Sequence, residues 1–212
     1  MRNTADWIFF WRSFCLTRKW ASGWSQSWQR KGKTFQEKET FSEAVAAYTQ
    51  GIRWNPQAAD VWWERGKVFV RMREIDAALE DFSTAILLNP EKADFYISRG
   101  SLLVEKGAYS AALADFQQAL KLQPEEILVY YFCGKIYYHW EDYTLAEFCM
   151  NQVLEKSPDF TPARIRLGYC FLARREITLA VQQFCEAKKK LENDFANYPD
   201  FTDMRHFLQT HP

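Results

Sequence analysis

Apolar side chains in this chain recur with a period of 34 residues. Within the first unit, Gly32 lies three residues before Phe35, Ala44 lies three after Phe41, and Tyr48 lies four after Ala44. Steps of three and four residues place side chains on one face of a helix. The pattern therefore predicts two helices in each unit, joined by a short turn. The apolar series are Phe35, Phe69, Leu103, Tyr137 and Phe171; Phe41, Ile75, Tyr109, Tyr143 and Ile177; and Tyr48, Phe82, Phe116, Met150 and Phe184.

Glycine, alanine and proline repeat with the same period. A glycine inside a helix costs about 1 kcal/mol relative to alanine, so its repeated use indicates a close approach between helices. We expect the glycine of the first helix to face the alanine of the second. Proline has no amide proton and cannot continue a helix, so it ends each second helix. The three series are Gly32, Gly66, Gly100, Gly134 and Gly168; Ala44, Ala78, Ala112, Ala146 and Ala180; and Pro56, Pro90, Pro124 and Pro158.

This register of aromatic residues, glycine, alanine and proline resembles the tetratricopeptide-repeat (TPR) family. The resemblance covers roughly residues 25–190 and implies an all-α fold, a right-handed α-solenoid of about five TPR helix-turn-helix units with terminal capping helices. Since no single unit buries its apolar face alone, neighbouring units stack to form a continuous core. The predicted units are 25–58, 59–92, 93–126, 127–160 and 161–190.

The resemblance also implies a binding surface, because peptides usually lie in the concave groove lined by the first helix of each TPR unit. Many of the corresponding positions here are apolar or aromatic, and such exposed surface usually marks an interaction site. Two lysines of this surface continue, with Lys33, a broken basic ladder that suits acidic groups of a partner. The alternative is that some of these side chains are core, covered by a terminal helix that folds back. The predicted groove residues are Trp63, Lys67, Val70, Ile97, Val104, Tyr131, Phe132, Lys135, Tyr138, Ile165 and Tyr169.

One binding mode of the family is not expected here. TPR co-chaperones hold the C-terminal carboxylate of heat-shock proteins with a clamp of lysine, asparagine and arginine side chains. The matching positions in this chain all depart from that pattern, and two of them carry carboxylates that would repel the ligand. We therefore expect no heat-shock-protein carboxylate clamp. The five positions hold Gln29, Lys33, Glu64, Asp94 and Ser98.

Two positions of the unit, sixteen residues apart, change identity together. Arg65 is followed by Asp81, and Cys133 is followed by Cys149. We infer that these positions touch across the two helices of a unit. The cysteines are either a redox-sensitive pair or two small apolar residues in place of an ion pair, and in a reducing compartment thiols stay reduced.

The two ends of the chain depart from the repeat. Residues 1–24 are rich in tryptophan, and Trp20, Trp24 and Trp28 are spaced as a helical stripe. We expect a capping helix for the first unit, since terminal repeats need covers; the alternative is a helix that binds a membrane surface or a partner. Residues 191–212 are expected to form a C-terminal capping tail.

Composition narrows the class of function. Lys and Arg together number 27, as do Asp and Glu, so the basic excess of a nucleic-acid binder is missing. The five cysteines lack metal-ligand spacing, and no metal or cofactor is expected. The longest early apolar run, Trp7 to Trp11, is too short for a signal peptide or a transmembrane segment. His139, the one histidine in the repeats, has no nucleophile at a recognisable spacing.

These observations predict a cytoplasmic protein that is not an enzyme. We expect a protein-protein interaction scaffold that binds a partner peptide or helix in the TPR groove. The alternative is a regulatory or targeting subunit of a larger enzyme or chaperone complex. Affinity purification separates the two, because the first predicts a set of structural neighbours and the second a catalytic partner.

Overall fold

A computed structural model describes the backbone of residues 4–190 and the side chains of residues 21–190. This part of the chain contains helices and turns and no strand, which confirms the all-α prediction. Its ten helices are α1 (Thr4–Glu37), α2 (Phe41–Trp54), α3 (Ala59–Arg71), α4 (Ile75–Leu88), α5 (Ala93–Glu105), α6 (Tyr109–Leu122), α7 (Ile127–His139), α8 (Tyr143–Lys156), α9 (Thr161–Ala173) and α10 (Ile177–Lys190).

The helices form five consecutive pairs, each with an A helix followed by a B helix. A helices α3, α5, α7 and α9 have 13 residues each, and every B helix has 14. Three residues connect A to B and four connect B to the next A, which accounts for the 34-residue period. The last four predicted units begin at the first residues of these A helices. Each repeat proline lies two residues after the end of a B helix.

Helix α1 differs from the other A helices in length. It runs without a break for 34 residues, so residues 4–24 continue into the first pair and do not form a separate helix. The expected capping role of residues 1–24 depends mainly on side chains before residue 21, which lie outside the described side chains. The expected tail, residues 191–212, lies outside the described residues. Within the described part, no helix is both long and apolar enough to cross a membrane.

All five A helices end in the same turn. In the turn from α3 to α4, the N–H of Glu74 donates to the carbonyl of Phe69 at 2.9 Å, and Arg73 between them has a φ of 63°. This backbone arrangement is the Schellman motif. A Cβ makes the left-handed conformation costly, yet four of the five turns place a side chain there. The five left-handed residues are Glu39, Arg73, Gly107, Glu141 and Arg175.

The A-helix glycine faces a large side chain of the B helix. A Cβ added to Gly66 would lie 2.7 Å from Cε1 of Phe82, whose ring is only 1% exposed. Gly32 is related to Tyr48 in the same way. The expectation that glycine faces the repeated alanine was therefore wrong at these positions. The glycine is needed because a ring, which is much larger than a methyl group, fills the space above the A-helix backbone.

The helices divide into two compact units, and the boundary falls within α5, between Leu102 and Leu103. In the first unit, Tyr48 of α2 packs in one core cluster with Val61 and Val68 of α3. In the second unit, Met150 of α8 packs with Leu167 of α9 and Phe184 of α10. Because the B helix of one pair contributes to the same core as the next A helix, neither pair completes its core alone.

The paired positions sixteen residues apart meet in the second repeat. Nε and Nη2 of Arg65 donate to the two carboxylate oxygens of Asp81, each at 2.8 Å. In the fourth repeat, Cys133 and Cys149 are both buried, and both are free thiols. A buried ion pair contributes little net stability once its desolvation is counted, so two thiols can occupy the corresponding place.

Replacing Gly66 with alanine tests the close approach. The new methyl group must displace the buried ring of Phe82, and overpacking of this kind costs about 1–3 kcal/mol. Gly23, in the interior of α1, has nothing within 4 Å of an added Cβ, so Gly23→Ala should stabilise the helix by up to about 1 kcal/mol. Urea denaturation followed by circular dichroism measures both changes. Equal effects of the two substitutions would contradict the packing role of Gly66.

Candidate functional site

All eleven residues predicted to line the groove lie on A helices. Four belong to the first unit, and we call Trp63, Lys67, Val70 and Ile97 the first patch. Ten of the eleven are half-buried, and Ile165 is buried. The second patch lies in the second unit and comprises Tyr131, Phe132, Lys135, Tyr138 and Tyr169; Val104, also half-buried, lies near the end of α5.

Trp63 holds α3 against α5 within the first unit. Its indole Nε1 donates to the hydroxyl of Ser98 at 2.8 Å, and its ring centroid lies 5.7 Å from that of the buried Phe95. The polar end of the indole is therefore satisfied inside the protein, and a half-exposed ring remains at the surface. Trp63 therefore has a structural role that the sequence did not reveal. A side chain at a predicted groove position can also contact the A helix of the next repeat, and the sequence does not show which contact it makes.

A nearly buried carboxylate orders the lysines beside Trp63. Glu64 is 7% exposed; one of its oxygens lies 2.9 Å from Nζ of Lys67 and the other 3.6 Å from Nζ of Lys33. The Lys67 ammonium also lies 3.8 Å from the ring centroid of Trp63, within the range of a cation–π interaction. The charge of the predicted basic ladder is thus partly neutralised. Lys33 and Lys67 share the single negative charge of Glu64, so the three side chains together carry a net charge of one positive unit.

A cleft of about 590 Å³ opens beside this charge cluster, between α1 and α3. At its edge, the hydroxyl of Tyr48 donates to the side-chain carbonyl of Gln36 at 3.2 Å. Burial, with added repulsion from Glu64 and Glu37, raises the pKa of Tyr48 well above its usual value, so the hydroxyl remains a donor to Gln36 into alkaline pH. The cleft was not predicted as a site. It is lined by Lys33, Gln36, Glu37, Glu39, Phe41, Glu64, Lys67 and Arg71.

The second patch is predominantly aromatic. The ring of Phe132 stacks on that of Phe116 with centroids 5.6 Å apart and planes inclined by 8°. Tyr131 meets Phe160 edge to face at 5.3 Å. Nζ of Lys135 lies 5.9 Å from the ring centroid of Tyr131 and 5.8 Å from that of Phe132. The contacts with Phe116 and Phe160 hold the rings of Phe132 and Tyr131 in place, and the Lys135 ammonium lies close to both rings.

The other two tyrosines of the second patch pack against B helices. Tyr138 meets Tyr143 of α8 edge to face at 5.5 Å, and Tyr169 meets Phe184 of α10 at 5.1 Å. Their rings are therefore anchored on one side and half-exposed on the other. Rigid aromatic side chains of this kind lose little conformational entropy when they bind a ligand.

Ile165 departs from the predicted site. It is 4% exposed and packs in the core cluster of the second unit with Met150, Leu167 and Phe184. Its side chain is part of the hydrophobic core and does not line an open groove. The predicted alternative, that some groove positions are core, applies to this residue.

Family models for the tetratricopeptide repeat match residues 25–57, 64–127 and 128–160, which together make up more than half of the chain. The chain belongs to the TPR family. No curated protein matches it by sequence.

Solved TPR structures share its fold. A TPR protein from Parabacteroides merdae superposes with a TM-score of 0.74 at 20% identity, over 87% of this chain and 73% of that one. MamA from Desulfovibrio magneticus gives 0.73 at 15% identity, over 80% and 96%. YrrB, described as a TPR protein with an unusual peptide-binding site, gives 0.65 at 18% identity, over 79% and 86%.

Two of the TPR carboxylate-clamp positions, Glu64 and Ser98, are engaged in other contacts in this protein. Glu64 pairs with two lysines as described, and the hydroxyl of Ser98 accepts the indole proton of Trp63 while donating to the carbonyl of Asp94 at 2.7 Å. A ligand carboxylate at these positions would meet Glu64 in place of a neutral or cationic donor.

Metal-ligating side chains and thiols are the remaining candidates for chemistry among the described residues. Among the described residues, no three His, Cys, Asp or Glu side chains are placed to hold a metal ion. Burial raises the pKa of Cys133 to about 12 and that of Cys149 to about 11. Since the thiolate is the reactive form, these thiols are inert at neutral pH. His139 is exposed and lies against Tyr109, with ring centroids 4.4 Å apart.

Thiol labelling tests the packing interpretation of Cys133 and Cys149. At pH 8, iodoacetamide should modify the exposed Cys185 at least about tenfold faster than Cys133, Cys149 or the equally buried Cys170, because their thiolates are rare and shielded. Peptide mass mapping of the labelled protein measures each site. Labelling in denaturant should remove the difference. A Cys133–Cys149 disulfide in protein purified without reductant would support the redox alternative instead.

Proposed function

We propose that this TPR protein is a non-catalytic scaffold that binds a partner peptide or helix on the exposed faces of its A helices. The observation that carries the proposal is the second patch, in which Tyr131, Phe132, Tyr138 and Tyr169 are packed from below and half-exposed above. Surfaces enriched in anchored aromatic residues are typical of protein-interaction hot spots. The peptide-binding site of the TPR protein YrrB supports the same use of the fold.

The second patch favours an apolar partner side chain next to an acidic one. The aromatic rings offer apolar contact area, and the Lys135 ammonium between Tyr131 and Phe132 is positioned to meet a carboxylate. Lysine acts as a point charge without fixed geometry, so an aspartate or a glutamate would both suit it.

The first patch also favours an apolar partner side chain next to an acidic one, but its preference for the acidic group is weaker. Trp63 presents a half-exposed ring, and Lys33 and Lys67 retain one net positive charge after Glu64 is counted. The cleft beside them has three cationic and three anionic side chains in its lining. We propose that this cleft receives a polar side chain or the main chain of the bound peptide, with the side-chain amide of Gln36 as a hydrogen-bonding group. The buried Tyr48 hydroxyl holds that amide in place.

The buried free thiols support a reducing compartment, and we propose the cytoplasm. A regulatory or targeting role within a larger complex is compatible with this mode of binding, with catalysis on the partner chain.

The proposal is tested with peptides selected from a phage-displayed library of random 12-residue sequences. Tyr131→Ala/Tyr138→Ala should weaken binding of the selected peptides by at least about tenfold, because hot-spot aromatics contribute about 2 kcal/mol or more each. Fluorescence anisotropy with labelled synthetic peptides measures the dissociation constant. Thermal unfolding is measured in parallel, since Tyr131 also packs against Phe160.

Trp140→Ala/Phe148→Ala is the matched control. Trp140 follows the A helix α7 and Phe148 lies on the B helix α8, and both are exposed. This variant removes two aromatic rings from the same unit and should bind the peptides as the unchanged protein does. If both double variants lose binding equally, or if neither does, the A-helix face is not the binding surface.

A further inference from the structure

Helix α1 extends well beyond the helix with which it is paired. Its 34 residues correspond to about 51 Å, whereas the 14 residues of α2 span about 21 Å, at a rise of about 1.5 Å per residue. Helix α2 therefore flanks less than half of α1. We call residues 4–24 the helical extension; it lies in the first unit and precedes the first predicted TPR unit.

The composition of the helical extension differs from that of the rest of the chain. Seven of its 21 residues are aromatic, against 17% of the whole chain. It has three basic residues and one acidic residue, in a protein whose net charge is zero. Charged residues interrupt the apolar ones throughout the segment, so it has no apolar run long enough to cross the hydrocarbon interior of a bilayer. Its charged residues are Asp6, Arg12, Arg18 and Lys19.

An exposed aromatic surface begins where the helical extension meets the first helix pair. Trp24 stacks on Trp54 of α2 with ring centroids 6.0 Å apart. The two residues are 51% and 48% exposed, although large aromatic side chains are ordinarily well buried. Tryptophan is enriched where proteins meet the headgroup region of a bilayer, because its ring is apolar and its N–H is polar. The Trp24–Trp54 pair thus places exposed aromatic side chains both at the end of the extension and on helix α2.

We propose that the helical extension, together with the Trp24–Trp54 pair, binds the surface of a membrane that contains anionic lipids. The aromatic residues supply apolar area for the headgroup boundary, and Arg12, Arg18 and Lys19 supply the attraction to negative lipid. The net positive charge of the extension favours this occupant over a second copy of the neutral chain. The membrane would then hold the scaffold at its surface.

Vesicle flotation of the full 212-residue chain tests the proposal. The protein should float with vesicles of phosphatidylcholine and phosphatidylserine in a 7:3 ratio, and much less with phosphatidylcholine alone. Arg12→Gln/Arg18→Gln/Lys19→Gln should lower partitioning into the anionic vesicles on the order of a hundredfold, from the attraction of three basic side chains to the lipid surface. Raising the salt concentration should weaken binding of the unchanged protein, because salt screens surface charge.

Two matched controls separate the extension from general effects of charge and apolarity. Lys121→Gln/Lys188→Gln/Lys189→Gln removes three positive charges from exposed positions of the second unit and should leave partitioning within about twofold, because those charges lie outside the extension. Trp7→Ala/Trp11→Ala should lower partitioning at least about tenfold through lost apolar contact. Trp140→Ala/Phe148→Ala should not change it.

Three outcomes would overturn the proposal. One is that the unchanged protein fails to float with anionic vesicles. Another is that the charge and tryptophan variants of the extension float as the controls do. The third is dimerisation in light scattering that is lost in Trp7→Ala/Trp11→Ala without any flotation, which would assign the extension to a second copy of the chain. Circular dichroism of each variant confirms that its helices remain folded. Loss of flotation with intact peptide binding would leave the scaffold proposal standing.

Discussion

The structure depends on the close contact between an A-helix backbone and a B-helix side chain. Glycine leaves the A helix without a side chain at one point per unit, and a large buried residue such as Phe82 occupies the space that a Cβ would need. The cost of glycine in a helix is offset because the ring gains contact with backbone and core together. This contact sets the distance between the two helices of a pair, and it therefore also sets where the outward-facing residues of the A helix lie.

The surface residues inherit their positions from this packing. In the second patch, the rings of Tyr138 and Tyr169 each rest on a residue of a B helix, so the same helix pairs that build the core also present the aromatic surface. In the first patch, a buried carboxylate positions lysine side chains in a similar way. Glu64 holds Lys33 and Lys67 in place and reduces their charge. Ring packing thus holds the aromatic side chains of the second patch in place, whereas a partly balanced set of charges holds the lysines of the first patch.

The helix pairs could be predicted from sequence because periodicity is a property of the chain itself. The pairing of Arg65 with Asp81 also followed from the sequence, since covariation across repeats in one chain reports on contacts. The residue that faces Gly66 could not be predicted. The repeated alanine and the repeated large residue of the B helix recur with the same period, and only interatomic distances show which of the two lies against the glycine. Ile165 was misplaced because exposure depends on what the following elements cover. Glu64 looked like a group that repels a ligand carboxylate, and its two lysine partners come from different helices that only the fold brings together.

The turns between A and B helices have a consequence for how the array tolerates change. Each is closed by backbone hydrogen bonds, such as that from Glu74 to Phe69, and its left-handed residue is more often charged than glycine. The turn therefore forms with several different side chains at this position, although each carries the cost of the left-handed conformation that glycine avoids. All five turns have three residues between the helices, and in each the closing N–H donates to the carbonyl five residues earlier. Substitution at the left-handed position is therefore compatible with the repeat, whereas an inserted residue must lie outside this hydrogen-bonded turn or break the bond that closes it.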